Sequence, residues 1–276
     1  MTDTSNEALS NLLHEERTFP PAPEFAAAAN AKAGMYSDAE ADRLGFWADQ
    51  ARALHWDTEF TEVLDWSNAP FARWFADGKL NVAYNCVDRH VESGHGAQVA
   101  IRFEGEPGDR RDITYTELQD EVCKAANALT ELGVSAGDRV AIYMPMIPEA
   151  IVAMLACARI GAPHSVVFAG FSAEALRSRI DDAQATLVIT ADGQNRRGSA
   201  MPLKPAVDEA VDASPSVKIV LVVRRTGGDV AWHADRDVWW HDLVDKQSTT
   251  HVPQAFEAEH PLFILYTSGT TGKPKG

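Results

Sequence analysis

The residues at the end of this chain combine small hydroxyl side chains, glycines and lysines directly after an apolar segment. Glycine lets the backbone approach an anion closely, amide and hydroxyl hydrogens donate to phosphate oxygens, and lysine neutralises phosphate charge. This composition predicts a loop that binds a polyphosphate. The candidate phosphate-binding residues are Thr267, Ser268, Gly269, Thr270, Thr271, Gly272 and Lys273.

The spacing of this loop excludes the Walker A pattern, in which four residues separate two glycines and a Ser or Thr follows the lysine. Here only two residues lie between Gly269 and Gly272, and Pro274 follows Lys273. Because proline removes a donor and blocks a helix, we expect the segment to be a hairpin connection. The alternative is an ordinary Gly/Thr-rich surface turn, and Lys275 either assists the loop or is simply solvated.

The string from Tyr266 to Gly276 resembles the phosphate-binding signature of adenylate-forming enzymes. Residues 79–90, 137–150 and 164–172 are similar to the corresponding segments of acetyl-CoA synthetases and their close relatives. The resemblance runs from about Phe46 to the end. A complete chain of that family is more than twice as long and ends in a mobile C-terminal domain. We therefore expect this sequence to be the N-terminal part of a longer enzyme, whose missing C-terminal part is its partner.

This resemblance implies a two-step acetate–CoA ligase reaction. Acetate and ATP form an acetyl-adenylate and pyrophosphate, and the CoA thiol then displaces AMP. In the family the terminal loop binds the β- and γ-phosphates of ATP together with Mg²⁺. The catalytic lysine, the metal ligand and the acyl pocket of the family lie beyond Gly276, so we expect no catalytic residue and no metal ligand here, and an inactive isolated chain.

Two other functions stay open at this point. A propionate or other short-chain acyl-CoA ligase shares these motifs, and the acyl pocket that would distinguish it lies beyond Gly276. A noncatalytic module that binds CoA or a nucleotide is an alternative from a different class.

A second polar segment, residues 192–199, follows a predicted strand at the edge where parallel α/β sheets place ligands. Arginine suits phosphate because its donors form a bidentate fork. By resemblance this segment binds the nucleotide end of CoA, and the residues concerned are Arg196, Arg197, Gly198 and Ser199. Ser199 stands where the family often has a base, so we consider Arg197 as its replacement. The alternative is an exposed basic loop.

A third segment, Phe168-Ala169-Gly170, resembles the Phe-Gly-Gly element that lines the CoA channel of the family. Phe168 and Gly170 are therefore further candidate CoA-binding residues, and Ala169 replaces the more usual glycine. His164 opens an apolar strand without an Asp or Ser partner in sequence, so we predict that it is a packed structural residue.

Composition and charge restrict the partners. The net charge of −15 repels nucleic acid and anionic membranes, and no apolar run approaches the ~20 residues that span a bilayer. The three cysteines have no C-x-x-C spacing, which indicates neither a zinc site nor a redox motif. We expect a cytoplasmic protein without a signal peptide whose partners are the small molecules acetate, ATP and CoA.

Alternating apolar segments predict an α/β fold, a parallel sheet covered by helices, which by resemblance is the first subdomain of the large N-terminal domain of adenylate-forming enzymes, incomplete at its C-terminus. The predicted strands cover residues 99–103, 111–115, 140–144, 164–168, 186–190, 218–223 and 262–267. The predicted helices cover 46–56, a stretch around 70–76, a helix capped by Thr116 with Gln119 in a capping box, Pro148 to Gly161, 172–182 after Ser172, and 202–213.

We divide the chain into three parts. Residues 1–98 form an arm, loosely structured over 1–45, and an aromatic-rich helical cap. Residues 99–223 form the α/β subdomain. Residues 224–276, irregular over 224–260, begin the next subdomain and end in the phosphate-binding loop.

Overall fold

The computed structural model describes residues 17–267 and 275–276. The chain divides into two compact units, Met1–Ala51 and Arg52–Gly276. The described part of the first unit contains the helices α1 (Pro23–Ala28) and α2 (Gly34–Ala41), and α3 (Arg43–Arg52) begins there. The expected loose structure over residues 1–45 is therefore wrong for residues 23–41, where alanine-rich sequence favours short helices.

Short antiparallel pairs and π-helical turns open the second unit. The first strands are β1 (Leu64–Asp65), β2 (Arg73–Trp74), β3 (Lys79–Leu80), β4 (Val99–Glu104) and β5 (Arg110–Thr114), and the π-helical turns are Tyr84–Asp88 and Val91–His95. The hairpin of β4 and β5 confirms the predicted pair. The predicted helix around 70–76 is wrong, because Pro70 disfavours helical backbone in the residue before it and β2 pairs with β1.

The remaining elements alternate as expected for an α/β fold. The strands are β6 (Val140–Met144), β7 (His164–Phe168), β8 (Leu187–Ala191), β9 (Gly193–Arg196), β10 (Ser199–Pro202), β11 (Ile219–Val223), β12 (Asp237–Trp239) and β13 (Phe256–Glu257). The helices are α4 (Tyr115–Glu131), α5 (Pro148–Ile160), α6 (Ala173–Ala183), α7 (Lys204–Asp212) and α8 (Trp240–Leu243), with a 3₁₀ turn at Val244–Lys246.

Five parallel strands form the central sheet in the order β12-β11-β8-β6-β7. Helices α4 and α5 pack together, as do α6 and α7. Ile142, Ile189 and Leu221 of the inner strands are fully buried, which explains why these strands are apolar throughout instead of alternating. The predicted α/β fold with a helix-covered parallel sheet is confirmed. Strand β12 also belongs to this sheet, although its segment was predicted to be irregular.

The start of α4 differs from the prediction. Thr114, not Thr116, is the N-cap: its side chain accepts a hydrogen bond from the Glu117 amide (3.2 Å), and the Glu117 carboxylate accepts one from the Thr114 amide (2.8 Å). Both threonines fit a capping box, but only Thr114 has a carboxylate three residues later, at Glu117. A negative charge in the first turn is also stabilised by the positive end of the helix dipole. The predicted ends of α5 are confirmed, since Gly161 closes it with φ +70°.

The apolar segment at residues 262–267 is not a strand in this structure. Only His164 pairs with it in parallel, donating to the Leu262 carbonyl (3.4 Å) and accepting from the Ile264 amide (2.9 Å). One bridge beside β7 is too short to form a ladder. The predicted strand is therefore wrong here, although the bridge to His164 places the segment beside β7, at the edge of the central sheet.

Candidate functional site

A cleft of about 480 Å³ opens at the carboxyl ends of the central strands. Strand order reverses at β6, since β7 lies on one side of it and β8 on the other. Parallel α/β sheets bind ligands at such a reversal. The cleft is lined by Phe103, Glu104, Gly105, Glu106, Met144, Pro145, Met146, Ile147, Val166, Val167, Phe168, Ala169, Gln194, Asn195, Arg196, Arg225 and Leu265.

The hairpin of β9 and β10 brings Arg196 to this cleft. Its two-residue turn consists of Arg197 and Gly198, both with positive φ (+55° and +77°). Positive φ at both residues gives a turn whose twist matches that of the two strands of a tight hairpin. The Gly198 amide donates to Glu106 Oε1 (2.5 Å), and the guanidinium carbon of Arg196 lies 5.3 Å from the ring centroid of Phe168. The hairpin therefore presents an arginine stacked on a phenyl ring at the wall of the cleft.

Gly170 makes this stacking sterically feasible. A Cβ built at this position would overlap Nη1 of Arg196 and Cε1 of Phe168. The neighbouring carbonyl of Ala169 accepts from Gln194 Nε2 (3.0 Å), which ties the 168–170 segment to the hairpin. The structure thus brings together three predicted residues that are distant in sequence: Phe168, Gly170 and Arg196.

The other two candidate side chains of the hairpin lie elsewhere. Arg197 and Ser199 are exposed, and neither belongs to the cleft lining. The Ser199 hydroxyl donates only to the Arg196 carbonyl (3.4 Å) among its described contacts. In this structure Arg197 is therefore not placed to replace a base at position 199 in the cleft.

The base of the predicted phosphate loop is a short antiparallel bridge. The Thr267 amide donates to the Lys275 carbonyl (3.0 Å), and the Lys275 amide donates back to the Thr267 carbonyl (3.2 Å). This pairing is what a hairpin connection requires. Leu265, two residues before the bridge, lines the cleft. The candidates Ser268, Gly269, Thr270, Thr271, Gly272 and Lys273 lie outside the described residues, so their role stays a prediction.

Asp192 joins two of the segments that line the cleft, a role that no motif in the sequence predicts. Its side chain accepts hydrogen bonds from the amides of Gly193 (2.7 Å), Arg225 (2.7 Å), Thr226 (3.0 Å) and Gly227 (2.6 Å). Burial would raise the pKa of Asp192, but these amide hydrogen bonds outweigh it and lower the pKa. One carboxylate therefore joins the start of β9 to the turn after β11. The signal in the sequence that could have indicated this role is an Asp placed directly after an apolar strand.

We expect Asp192→Asn to lower the free energy of unfolding by about 1–3 kcal/mol at neutral pH, because the charged acceptor of four amide hydrogen bonds is lost. A lowered folded-state pKa contributes stability above the ordinary Asp pKa of about 3.9, and that stability is lost as pH falls through the folded-state value. The difference between the two proteins should therefore shrink in acid. Urea unfolding at neutral and acid pH measures it, with the exposed Asp229→Asn as control. A difference independent of pH would contradict the assigned role.

His164 and two cysteines occupy structural positions, which confirms the prediction for His164. His164 is buried with its ring 6.2 Å from that of Phe263, and burial lowers its pKa to about 4, so it is neutral at physiological pH. Cys123 and Cys157 are buried in α4 and α5, and burial raises the pKa of both thiols.

Two negative findings concern the described residues. Across 17–267 and 275–276, no three His, Cys, Asp or Glu side chains are grouped to hold a metal ion. Within the same residues, every helix is too short or too polar to cross a bilayer.

Comparison with known proteins defines the class. The family model of AMP-binding enzymes matches residues 87–276, and a model described as acetyl-coenzyme A synthetase N-terminus matches residues 33–86. The chain belongs to the AMP-binding enzyme family.

Individual relatives carry a more specific name. Over 272 residues the chain is 72% identical to the acetyl-coenzyme A synthetase of Streptomyces avermitilis, covering 99% of this chain and 42% of that protein. It is 69% identical to the protein of the same name from Mycolicibacterium smegmatis, and the match covers 98% of this chain and 29% of that protein. It is 52% identical to the acetyl-coenzyme A synthetase of Deinococcus radiodurans, and the match covers 98% of this chain and 42% of that protein. The chain therefore spans less than half the length of these curated relatives.

Proposed function

We propose that this chain is the N-terminal part of an AMP-forming acetate–CoA ligase, in which it binds the nucleotide end of CoA and the phosphates of ATP. The observation that carries the proposal is the placement of Arg196 over Phe168 in a cleft that adjoins the base of the Gly/Thr loop. The names of the relatives support acetate as the acid. Cytoplasmic location and the lack of nucleic-acid and membrane partners remain predictions from charge and composition.

The proposed role of the cleft is positioning. Among the described residues Arg196 forms no ion pair, so its donors are free for a phosphate, and its stacking on Phe168 holds the guanidinium plane in place. The adjoining apolar lining, which includes Val166 and Leu265, suits the uncharged pantetheine arm of CoA. Binding both parts along one cleft would fix the direction in which the thiol enters.

The proposed role of the terminal loop is to reduce the charge repulsion between acetate and ATP. Amides, hydroxyls and Lys273 would neutralise the triphosphate so that the carboxylate can reach the α-phosphorus. Mg²⁺, when bound, would supply further neutralisation of the phosphates. The described residues offer no grouped metal ligands, so they do not by themselves fit the ion, and the proposed steps use only the donors of the protein.

ATP–pyrophosphate exchange tests the proposal, with acetate and with propionate as the acid. We expect no exchange by this chain and acetate-dependent exchange by the product of the complete reading frame that contains it. Faster exchange with propionate than with acetate would replace acetate by propionate as the proposed substrate and leave the proposed class of enzyme unchanged. Absence of exchange by a well-folded complete product would overturn the ligase proposal and leave a noncatalytic binding module.

A further inference from the structure

We propose that Arg225 is a second phosphate-binding arginine of the cleft, acting with Arg196 on the phosphorylated nucleotide end of CoA. The proposal rests on the proposed function, because it concerns the same ligand in the same cleft. Arg196 and Arg225 come from different parts of the sheet: one follows β8 in the hairpin, and the other follows β11. Both line the cleft.

The two arginines have matching surroundings. The guanidinium carbon of Arg225 lies 5.5 Å from the ring centroid of Phe103, and that of Arg196 lies 5.3 Å from the ring centroid of Phe168. Both phenyl rings also line the cleft. A guanidinium over a ring keeps its N–H donors at its edge, where they can reach a phosphate.

Arg225 is fixed at both of its ends. Its amide donates to Asp192 (2.7 Å), and its guanidinium donates to both carboxylate oxygens of Asp109 (2.7 and 3.0 Å). The side chain is 19% exposed. Two of its five N–H donors are used by Asp109, and in the described structure the other three have no partner. A side chain that is already ordered loses little entropy when it binds a ligand.

The two acids of the cleft lining are held by groups other than these two arginines. Glu104 pairs with Arg110 (3.0 Å), and Glu106 accepts from the Gly198 amide (2.5 Å). The partner of Arg225, Asp109, is 43% exposed, so solvent screens its charge. Since Ser199 is uncharged and Arg197 lies outside the lining, Arg225 supplies the second positive charge of the cleft.

Binding of CoA and of adenosine 3′,5′-bisphosphate to this chain, measured by calorimetry, tests the proposal. We expect Arg225→Gln to weaken both ligands about tenfold or more at low salt, which is the effect of losing a charge-assisted hydrogen bond. The loss should shrink as salt is added, because screening weakens the lost attraction. Arg224→Gln is the matched control: Arg224 is adjacent and exposed, lies over Trp239 (4.5 Å), and does not line this cleft.

Arg196→Gln separates failure of this inference from failure of the proposed function. If the unaltered chain binds neither ligand, the CoA assignment of the cleft is overturned, and this inference with it. If Arg196→Gln weakens binding and Arg225→Gln does not, only the role of Arg225 is overturned. A loss in Arg225→Gln that does not change with salt would also overturn it, because a purely structural role predicts that result.

Discussion

Arg159→Met is expected to lower the free energy of unfolding by about 3–5 kcal/mol, because removing one partner leaves the other as an uncompensated buried charge. The Arg159 side chain is 2% exposed and donates to both oxygens of Asp88 (2.7 and 2.9 Å). It also donates to the His251 carbonyl (2.5 Å). In the variant, Asp88 would retain only the hydrogen bond from Gln119 (3.0 Å) among these contacts.

This ion pair joins segments that are far apart in sequence. Asp88 ends a π-helical turn, Arg159 lies in the last turn of α5, and His251 belongs to the loop before β13. Urea unfolding of the variant and of Arg177→Met gives the comparison. Arg177 forms an exposed pair with Asp181 one helical turn away (3.3 Å), and such pairs contribute about 0.3–0.5 kcal/mol. Equal effects of the two substitutions would refute the structural role of the buried pair.

Lys204→Met is expected to have the second largest effect, a loss of about 3 kcal/mol, at the lower end of the range for broken buried pairs. Lys204 is fully buried, and its ammonium donates to Asp237 (2.6 Å) and Asp208 (2.6 Å). The loss is smaller because Arg236 still donates to Asp237 Oδ1 (2.9 Å) in the variant.

The variant should also be more sensitive to pH. Burial would raise the pKa of Asp237, but hydrogen bonds from Lys204 and Arg236 outweigh it and lower the pKa. A lowered pKa contributes stability that is lost in acid. Without Lys204 that pKa rises, so unfolding should begin at a higher pH than in the unaltered protein. Thermal unfolding across pH measures this, with the exposed Lys218→Met as control. An unchanged acid transition would contradict this account of the network.

Several features of the fold were predictable because they depend on residues close together in sequence. The apolar runs of β6, β7, β8 and β11 follow from burial of both faces of a parallel sheet. The end of α5 was predictable from Gly161, whose left-handed backbone suits glycine. The Gly/Thr loop and the 192–199 segment resembled known motifs in sequence. Three of the CoA candidates, Phe168, Gly170 and Arg196, do lie together in the structure.

Other features were not predictable, because two residues competed for one position or because the pairing partner lies far away in sequence. Two threonines near the start of α4 fit a capping box, and the side-chain geometry selects Thr114. Strand β12 has only three residues, too few for a periodic pattern, and it forms because β11 offers a free edge. Residues 262–267 have the composition of a strand, yet a strand also needs a ladder. Within the described residues this segment has only two isolated bridges, from Phe263 to His164 and from Thr267 to Lys275.

The sequence by itself determined the class of fold, the family and the polar segment that follows β8, because each is encoded in short runs of residues. Only the tertiary structure decided which of those residues share a cleft. Asp192 and Arg225 are 33 residues apart and meet because β8 and β11 are neighbours in parallel register. Strand neighbours are chosen by packing of the whole sheet, so a residue such as Arg225 comes to line the same cleft as Arg196 through contacts that no local pattern records.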